Sequence, residues 1–388
     1  MNKKFTKKLN IACIGFDWND IGRGDYNLTK KKFDRDGLNT SINDFFVLYA
    51  GIVNRRDELS GNPKFLVRHI RLLTKIRIFY DLFFIFYLPL VLKKEKVKPD
   101  LFYLYDFPHI LAVYWSAKKY KAKIYLRLIN LPTELALTKG VKGKIFYCYY
   151  KLIEKITYKM VDKYIVINET TKKYLLNLGV SEEKIVFDIP NTIERDKIFI
   201  EQADKTLIRK HFNITEDKKI IISIGSLIKE KGFVDLIEAF VKLKRDDLVL
   251  IICGQGKEEN SLKKLARELG ADNKIIFAGQ VNRKNIWHYL SGADIFMLFS
   301  KSESLGMVFW EAMYMNIPII GTSVGGVVET IGLDGERGFF WKNGLNDLNK
   351  KIDFCLTEFK DREIMIKKAR EYVVEKFKIR KNINEIFY

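Results

Sequence analysis

Two carboxylates set the chemistry that this chain can do. Glu303 and Glu311 stand eight residues apart, with Ser304, Leu305, Gly306, Met307 and Val308 between them. The apolar run at 294–299 reads as a buried strand, and the segment after Gly306 reads as a helix that stops at the Asn316-Ile317-Pro318 break. A strand, a polar loop and a helix start place free backbone N–H groups where an anion can meet them. A carboxylate in the same place repels phosphate and is suited instead to accept hydrogen bonds from hydroxyl groups, as on a sugar. The local chemistry asks for a ligand with both phosphate and hydroxyls.

A second turn adds a cation. Gly225-Ser226-Leu227-Ile228-Lys229-Glu230-Lys231-Gly232 joins an apolar strand to a helix start. There Lys231 adds a point charge to the partial positive charge of the helix end, and the two together can balance a diphosphate without a metal. Alone, Lys231 reads as a surface lysine; beside the Glu303/Glu311 pair the functional reading prevails. Gly22-Arg23-Gly24, after the strand at 11–16, lets backbone approach a ligand closely. It is not GxGxxG, so a dinucleotide site is unsupported. Asp34-Arg35-Asp36 contains Asp-x-Asp inside a polar, helical stretch and reads as a solvated face, not a metal site.

Around these turns the chain is built in two series. Its 388 residues are too many for one ordinary core. Strands at 101–105, 123–129, 164–167 and 184–189 alternate with helices at 110–119, 144–160 and 170–178. After the polar stretch 194–218 a second series begins, with strands at 219–225, 248–253, 274–278 and 294–299. Its first helix carries Phe233, Leu236, Ile237, Phe240 and Val241 at amphipathic spacing. Alternation of this kind means α/β architecture with parallel sheets covered on both faces, and ligands at the C-terminal strand ends.

Net charge is +20, which favours an anionic partner or simply a lysine-rich solvated surface. No nucleic-acid-binding motif accompanies it. Residues 64–98 mix apolar and aromatic positions with Arg68, Arg71, Lys75, Arg77, Lys93, Lys94, Lys96 and Lys98. This reads as a basic amphipathic helix, either docking on an anionic membrane or forming a core helix with a solvated side. Cys13, Cys148, Cys253 and Cys355 are far apart, as buried free thiols in a reducing compartment would be. The apolar run after the N-terminus is short and reads as a strand, not a signal peptide; 79–92 is too short to span a bilayer. The expected location is cytoplasmic, or peripheral on the inner face of the membrane.

Several landmarks fall in one order: Gly22 and Gly24, Pro190-Asn191-Thr192, Gly225-x5-Lys231-Gly232, Gly254-x-Gly256, Gly279, Glu303-x7-Glu311 and Gly325-Gly326-x-x-Glu329. This resembles the retaining glycosyltransferases of family 4, most specifically across 219–340. The resemblance implies a GT-B fold: two Rossmann-like, doubly wound domains facing a cleft. It places an acceptor domain at 1–193, a nucleotide-sugar domain at 194–361, and final helices at about 362–388 packing back on the first. It implies a hexosyltransferase that moves sugar from a UDP- or GDP-sugar to a lipid-linked or surface-polysaccharide acceptor in bacterial envelope synthesis, with no metal or other cofactor. Glu311 would accept from the ribose and Glu303 from the transferred sugar. Lys231 would hold the diphosphate, backbone at Leu305, Gly306, Met307 and Val308 would lie beside it, and Gly22-Arg23-Gly24 would close over it. Gly225, Ser226, Gly254 and Gly279 complete the expected donor site. Ser226 stands where many members carry Arg, and Leu128-Ile129-Asn130 where many carry His; His109 is a substitute for the latter. The alternatives are a sugar-nucleotide epimerase and a non-catalytic nucleotide- or polyanion-binding protein of this fold.

Overall fold

The computed structural model describes residues 9–15, 42–51, 65–71, 77–94, 96–104, 107–128, 140–187, 196–342, 344–357 and 360–378. The chain divides into two compact units between Asp188 and Ile189.

The first unit holds β1 (Leu9–Gly15), β2 (Ile42–Gly51), β3 (Phe65–Arg71), α1 (Arg77–Lys94), β4 (Leu101–Leu104), α2 (Pro108–Tyr120), β5 (Lys123–Leu128), α3 (Gly140–Thr157), β6 (Lys163–Val166), α4 (Glu169–Leu178) and β7 (Ile185–Phe187). All seven strands are parallel, in the order β3-β2-β1-β4-β5-β6-β7. Phe102, Leu104, Leu126, Tyr164 and Val166 from the strands meet Leu88, Leu92, Ile110, Val113 and Ile153 from the helices in one core.

The second unit holds α5 (Lys197–Glu201), α6 (Leu207–Phe212), β8 (Lys219–Ile224), α7 (Phe233–Lys242), β9 (Leu248–Cys253), α8 (Glu259–Glu268), β10 (Ile275–Gly279), α9 (Ile286–Ser291), β11 (Ile295–Leu298), α10 (Met307–Tyr314), β12 (Ile319–Thr322), α11 (Gly325–Ile331), β13 (Phe339–Trp341), α12 (Leu345–Leu356) and α13 (Lys360–Lys378). Its six strands are parallel in the order β10-β9-β8-β11-β12-β13. β9 and β11 are buried along their whole length, which is why they read as unbroken apolar runs. Chain order departs from β8 in both directions, so the loops after β8 and β11 diverge at a topological switch point. Both turns singled out by their chemistry lie there.

Three expectations need correction. Residues 64–98 are not one helix: Phe65–Arg71 is a strand paired to β2, and the helix is Arg77–Lys94. A seven-residue run of mixed apolar and basic residues fits either period, and pairing with a neighbour decided it. The unit boundary falls between Asp188 and Ile189, a little before the 193/194 expected, and the polar stretch 194–218 carries α5 and α6, with Ile208 fully buried. Of the 362–388 expected to return to the first unit, only 381–388 group with it; helix 360–378 belongs to the second, because Tyr372 and Phe377 pack edge-on against Trp310 of α10. The Gly22-Arg23-Gly24 loop, Asp34-Arg35-Asp36 and Asn130 lie outside the described residues.

Candidate active site

The three strand-end glycines align. Gly225 N–H donates to the Cys253 carbonyl at 3.0 Å, and Gly254 N–H donates to the Gly279 carbonyl at 2.8 Å. A Cβ on Gly254 would sit 1.9 Å from the Gly225 carbonyl oxygen, so only glycine lets these chain ends lie so close. Beyond exposed Ser226 the loop tightens through one turn of 3-10 helix, Lys229–Lys231, into Gly232 at the start of α7.

The loop after β11 is tied to this one. Lys301 N–H donates to the Glu230 carbonyl at 2.8 Å. From the other side, Gly326 N–H donates to the Glu303 carbonyl at 2.8 Å, and a Cβ on Gly325 would lie 1.9 Å from the same oxygen. The Gly325-Gly326 pair therefore seats Glu303. Glu329 of the same motif turns away, and its carboxylate accepts from Lys376 and Tyr372 of α13.

Glu303 and Lys231 meet across the switch point: Lys231 Nζ lies 2.5 Å from Glu303 Oε2, and both side chains are mostly buried. Ser300 Oγ donates to the same oxygen at 3.4 Å. Gly306, at φ +69°, starts α10 without a side-chain cap, while Leu305 is buried and Met307 and Val308 are half-buried beside it. Phe309 N–H donates to the Gly306 carbonyl at 2.9 Å, which leaves the N–H groups of Met307 and Val308 to meet an anion.

Glu311 lies one helical turn further, 1% exposed. Its Oε1 accepts from Arg283 Nη2 at 2.6 Å, and Arg283 Nε donates to Asp196 Oδ2 at 2.5 Å. Burial works against the Arg283 charge, but its bonds and charge pairing with Glu311 and Asp196 outweigh this and raise its pKa. Arg283 and Asp196 carry no motif. They are 87 residues apart in sequence, and nothing local joins either to Glu311. His109, 1% exposed on the inner face of α2, is a core side chain of the first unit. Among the described residues no cluster of three His, Cys, Asp or Glu side chains is placed to hold a metal.

This arrangement offers one cation and uncapped N–H groups for phosphate, and two carboxylates for hydroxyls. The family described as glycosyl transferases group 1 matches residues 204–372. N-acetyl-alpha-D-glucosaminyl L-malate synthase of Bacillus anthracis is 31% identical over 57% of this chain and 55% of its own. The chain thus spans about half the length of that relative. N,N'-diacetylbacillosaminyl-diphospho-undecaprenol alpha-1,3-N-acetylgalactosaminyltransferase of Campylobacter jejuni is 27% identical over 68% of each chain. Among solved structures, the Anabaena protein HepE in complex with UDP-glucose is similar with a TM-score of 0.67. It is 15% identical over 98% of this chain and 99% of that one, and at this identity the likeness speaks for the fold alone. Residues 204–372 thus match the glycosyl transferases group 1, in agreement with the resemblance to family 4, and the fold is that of the HepE glucosyl-nucleotide complex.

Proposed function

We propose that the protein is a retaining, metal-independent hexosyltransferase that uses a UDP- or GDP-sugar and extends a lipid-linked or surface-polysaccharide acceptor. The observation that carries this is the Lys231–Glu303 pair at the switch point, with buried Glu311 one short helix away. Lys231 and the first turn of α10 take the diphosphate, Glu303 the sugar hydroxyls and Glu311 the ribose. The bond from the anomeric carbon to the diphosphate oxygen breaks, and the acceptor oxygen attacks from the same face. The acceptor's proton passes to the leaving phosphate. Charge grows on that phosphate, so Lys231 and fixed N–H donors act most strongly in the transition state. The names of the Campylobacter relative and of the HepE complex supply a lipid diphosphate acceptor and a UDP-sugar as precedents.

The first unit supports a membrane-bound acceptor. Helices α1, α2 and α3 pack side by side and leave Phe86, Leu90, Trp115, Leu152 and Ile156 exposed. Among the described side chains of these helices, the exposed charges are all lysines: Lys93, Lys94, Lys118, Lys119, Lys144 and Lys155. No described helix is long and apolar enough to cross a membrane. Exposed apolar side chains interspersed with lysines on packed helices fit peripheral attachment to an anionic leaflet.

Thermal stabilisation by UDP, GDP, ADP and CDP without added metal tests the donor site, because a ligand of the folded state raises Tm by mass action. One nucleotide should stabilise the wild type and not Glu311→Ala. Stabilisation by none, or equal stabilisation of the mutant, would overturn the site.

A further inference from the structure

Glu311 is held in an uncommon way. It sits among Phe309, Trp310, Ala312 and Met313, all buried. Oε1 is taken by Arg283, whereas Oε2 is buried with no hydrogen-bond partner in the structure. A buried carboxylate oxygen without a donor is costly, and a buried charge persists only when paired. Arg283 is the pair. Its guanidinium is itself fixed on three sides, by Glu311, by Asp196 and by the indole of Trp287, 5.0 Å beneath it. A planar fork bonds two carboxylates through different nitrogens in one fixed plane while stacking on a ring, whereas an ammonium is a point charge whose donors define no such plane. Of these groups Arg283 faces solvent most, at 37% side-chain exposure against 3% and 2% for Asp196 and Glu311.

We propose that Arg283 is a positioning residue of the donor site: by occupying Oε1 and fixing how the Glu311 carboxylate is turned, it reserves Oε2 for one hydroxyl of the bound nucleotide's ribose. This rests on Glu311 being the ribose acceptor. A single free oxygen serves one hydroxyl fully, so the 2′- and 3′-hydroxyls are unequal partners. The orphaned oxygen gains its missing donor only when a ribonucleotide is bound, and a deoxynucleotide lacking that hydroxyl leaves it orphaned. A site built around a hydroxyl rejects the analogue without it for this reason.

The test is calorimetric titration with the best-binding diphosphate among UDP, GDP, ADP and CDP, and with its 2′-deoxy and 3′-deoxy forms. In the wild type, one deoxy form should bind at least tenfold more weakly and the other less than threefold. In Arg283→Met the full nucleotide should bind at least tenfold more weakly, and the ratio between ribo and deoxy forms should fall below threefold. The donor KM should rise while kcat at saturating donor changes less than threefold. Arg283→Lys keeps the charge but not the fork, and should lose most of the discrimination; it carries the test if the methionine variant does not fold. Asp196→Asn should lie between the two. Wild-type discrimination in both Arg283 variants, or equal loss with both deoxy forms in the wild type, would overturn the proposal while leaving the donor site standing. If no nucleotide binds the wild type, or if Glu311→Ala binds as the wild type does, the reading of the site itself falls and this inference with it.

Discussion

Lys231, proposed above to hold the diphosphate, is paired with Glu303. Lys231 Nζ is 2.5 Å from Glu303 Oε2, with side-chain exposures of 22% and 13%. On the proposed reading, donor binding exchanges this pair for Lys231 on phosphate and Glu303 on hydroxyls. Replacing Glu303 by Gln keeps shape and hydrogen-bonding capacity and removes the competing charge. Two unit charges about 4 Å apart at an effective dielectric near 20 attract by roughly 4 kcal/mol. Solvent screening of a partly exposed pair and side-chain ordering reduce the net to about 1 kcal/mol or less. Glu303→Gln should therefore bind the nucleoside diphosphate alone as well as the wild type does, or up to about fivefold more tightly. Transfer should nonetheless fall by roughly 10²–10³, as when one preorganised transition-state partner is lost. Titration calorimetry with the free diphosphate and a sugar-transfer assay separate the two effects. A tenfold or greater loss of diphosphate affinity would refute the exchange argument, and an unchanged transfer rate would refute the role of Glu303.

Other consequences are simpler. Trp310 is fully buried, donates its indole N–H to Thr330 Oγ1 at 2.8 Å and packs against Tyr372 and Phe377; Trp310→Ala should cost about 3–5 kcal/mol in urea unfolding, and a loss under 1 kcal/mol would deny that α13 is anchored there. The double variant Phe86→Asp, Trp115→Asp should lose binding to anionic vesicles, wild-type binding should weaken with salt, and equal wild-type binding to neutral vesicles would refute these exposed apolar and lysine side chains as an anionic docking surface. Burial pushes the Cys253 and Cys355 thiols up to about 12, whereas Cys148 is exposed. A thiol reagent at pH 8 should label Cys148 in the native protein and reach Cys253 and Cys355 only after denaturation, since the thiolate is the reacting form; native labelling of either buried thiol would contradict the packing.

The loops that carry Lys231 and Glu303 were legible because each is a local object: an apolar strand, a glycine that turns the chain, and a helix start. Hydrophobic runs placed β8, β9 and β11 almost to the residue. The same reading failed where local pattern is ambiguous. Residues 65–71 became a strand through pairing with β2, and 197–212 became two helices because Ile208 and neighbouring residues found a surface to pack on.

By itself, the sequence determined two doubly wound halves and where the turns carrying Lys231 and Glu303 fall, since strand–loop–helix units depend on residues close together along the chain. Tertiary structure alone decided that Lys231 and Glu303 pair, that α13 lies on Trp310, and that Arg283 joins Asp196 to Glu311. Each of these joins side chains from separate elements. Hydrophobic burial and charge pairing act through space, and an isolated arginine or the apolar stripe of a helix does not specify its partner until the sheet has brought the strand ends together.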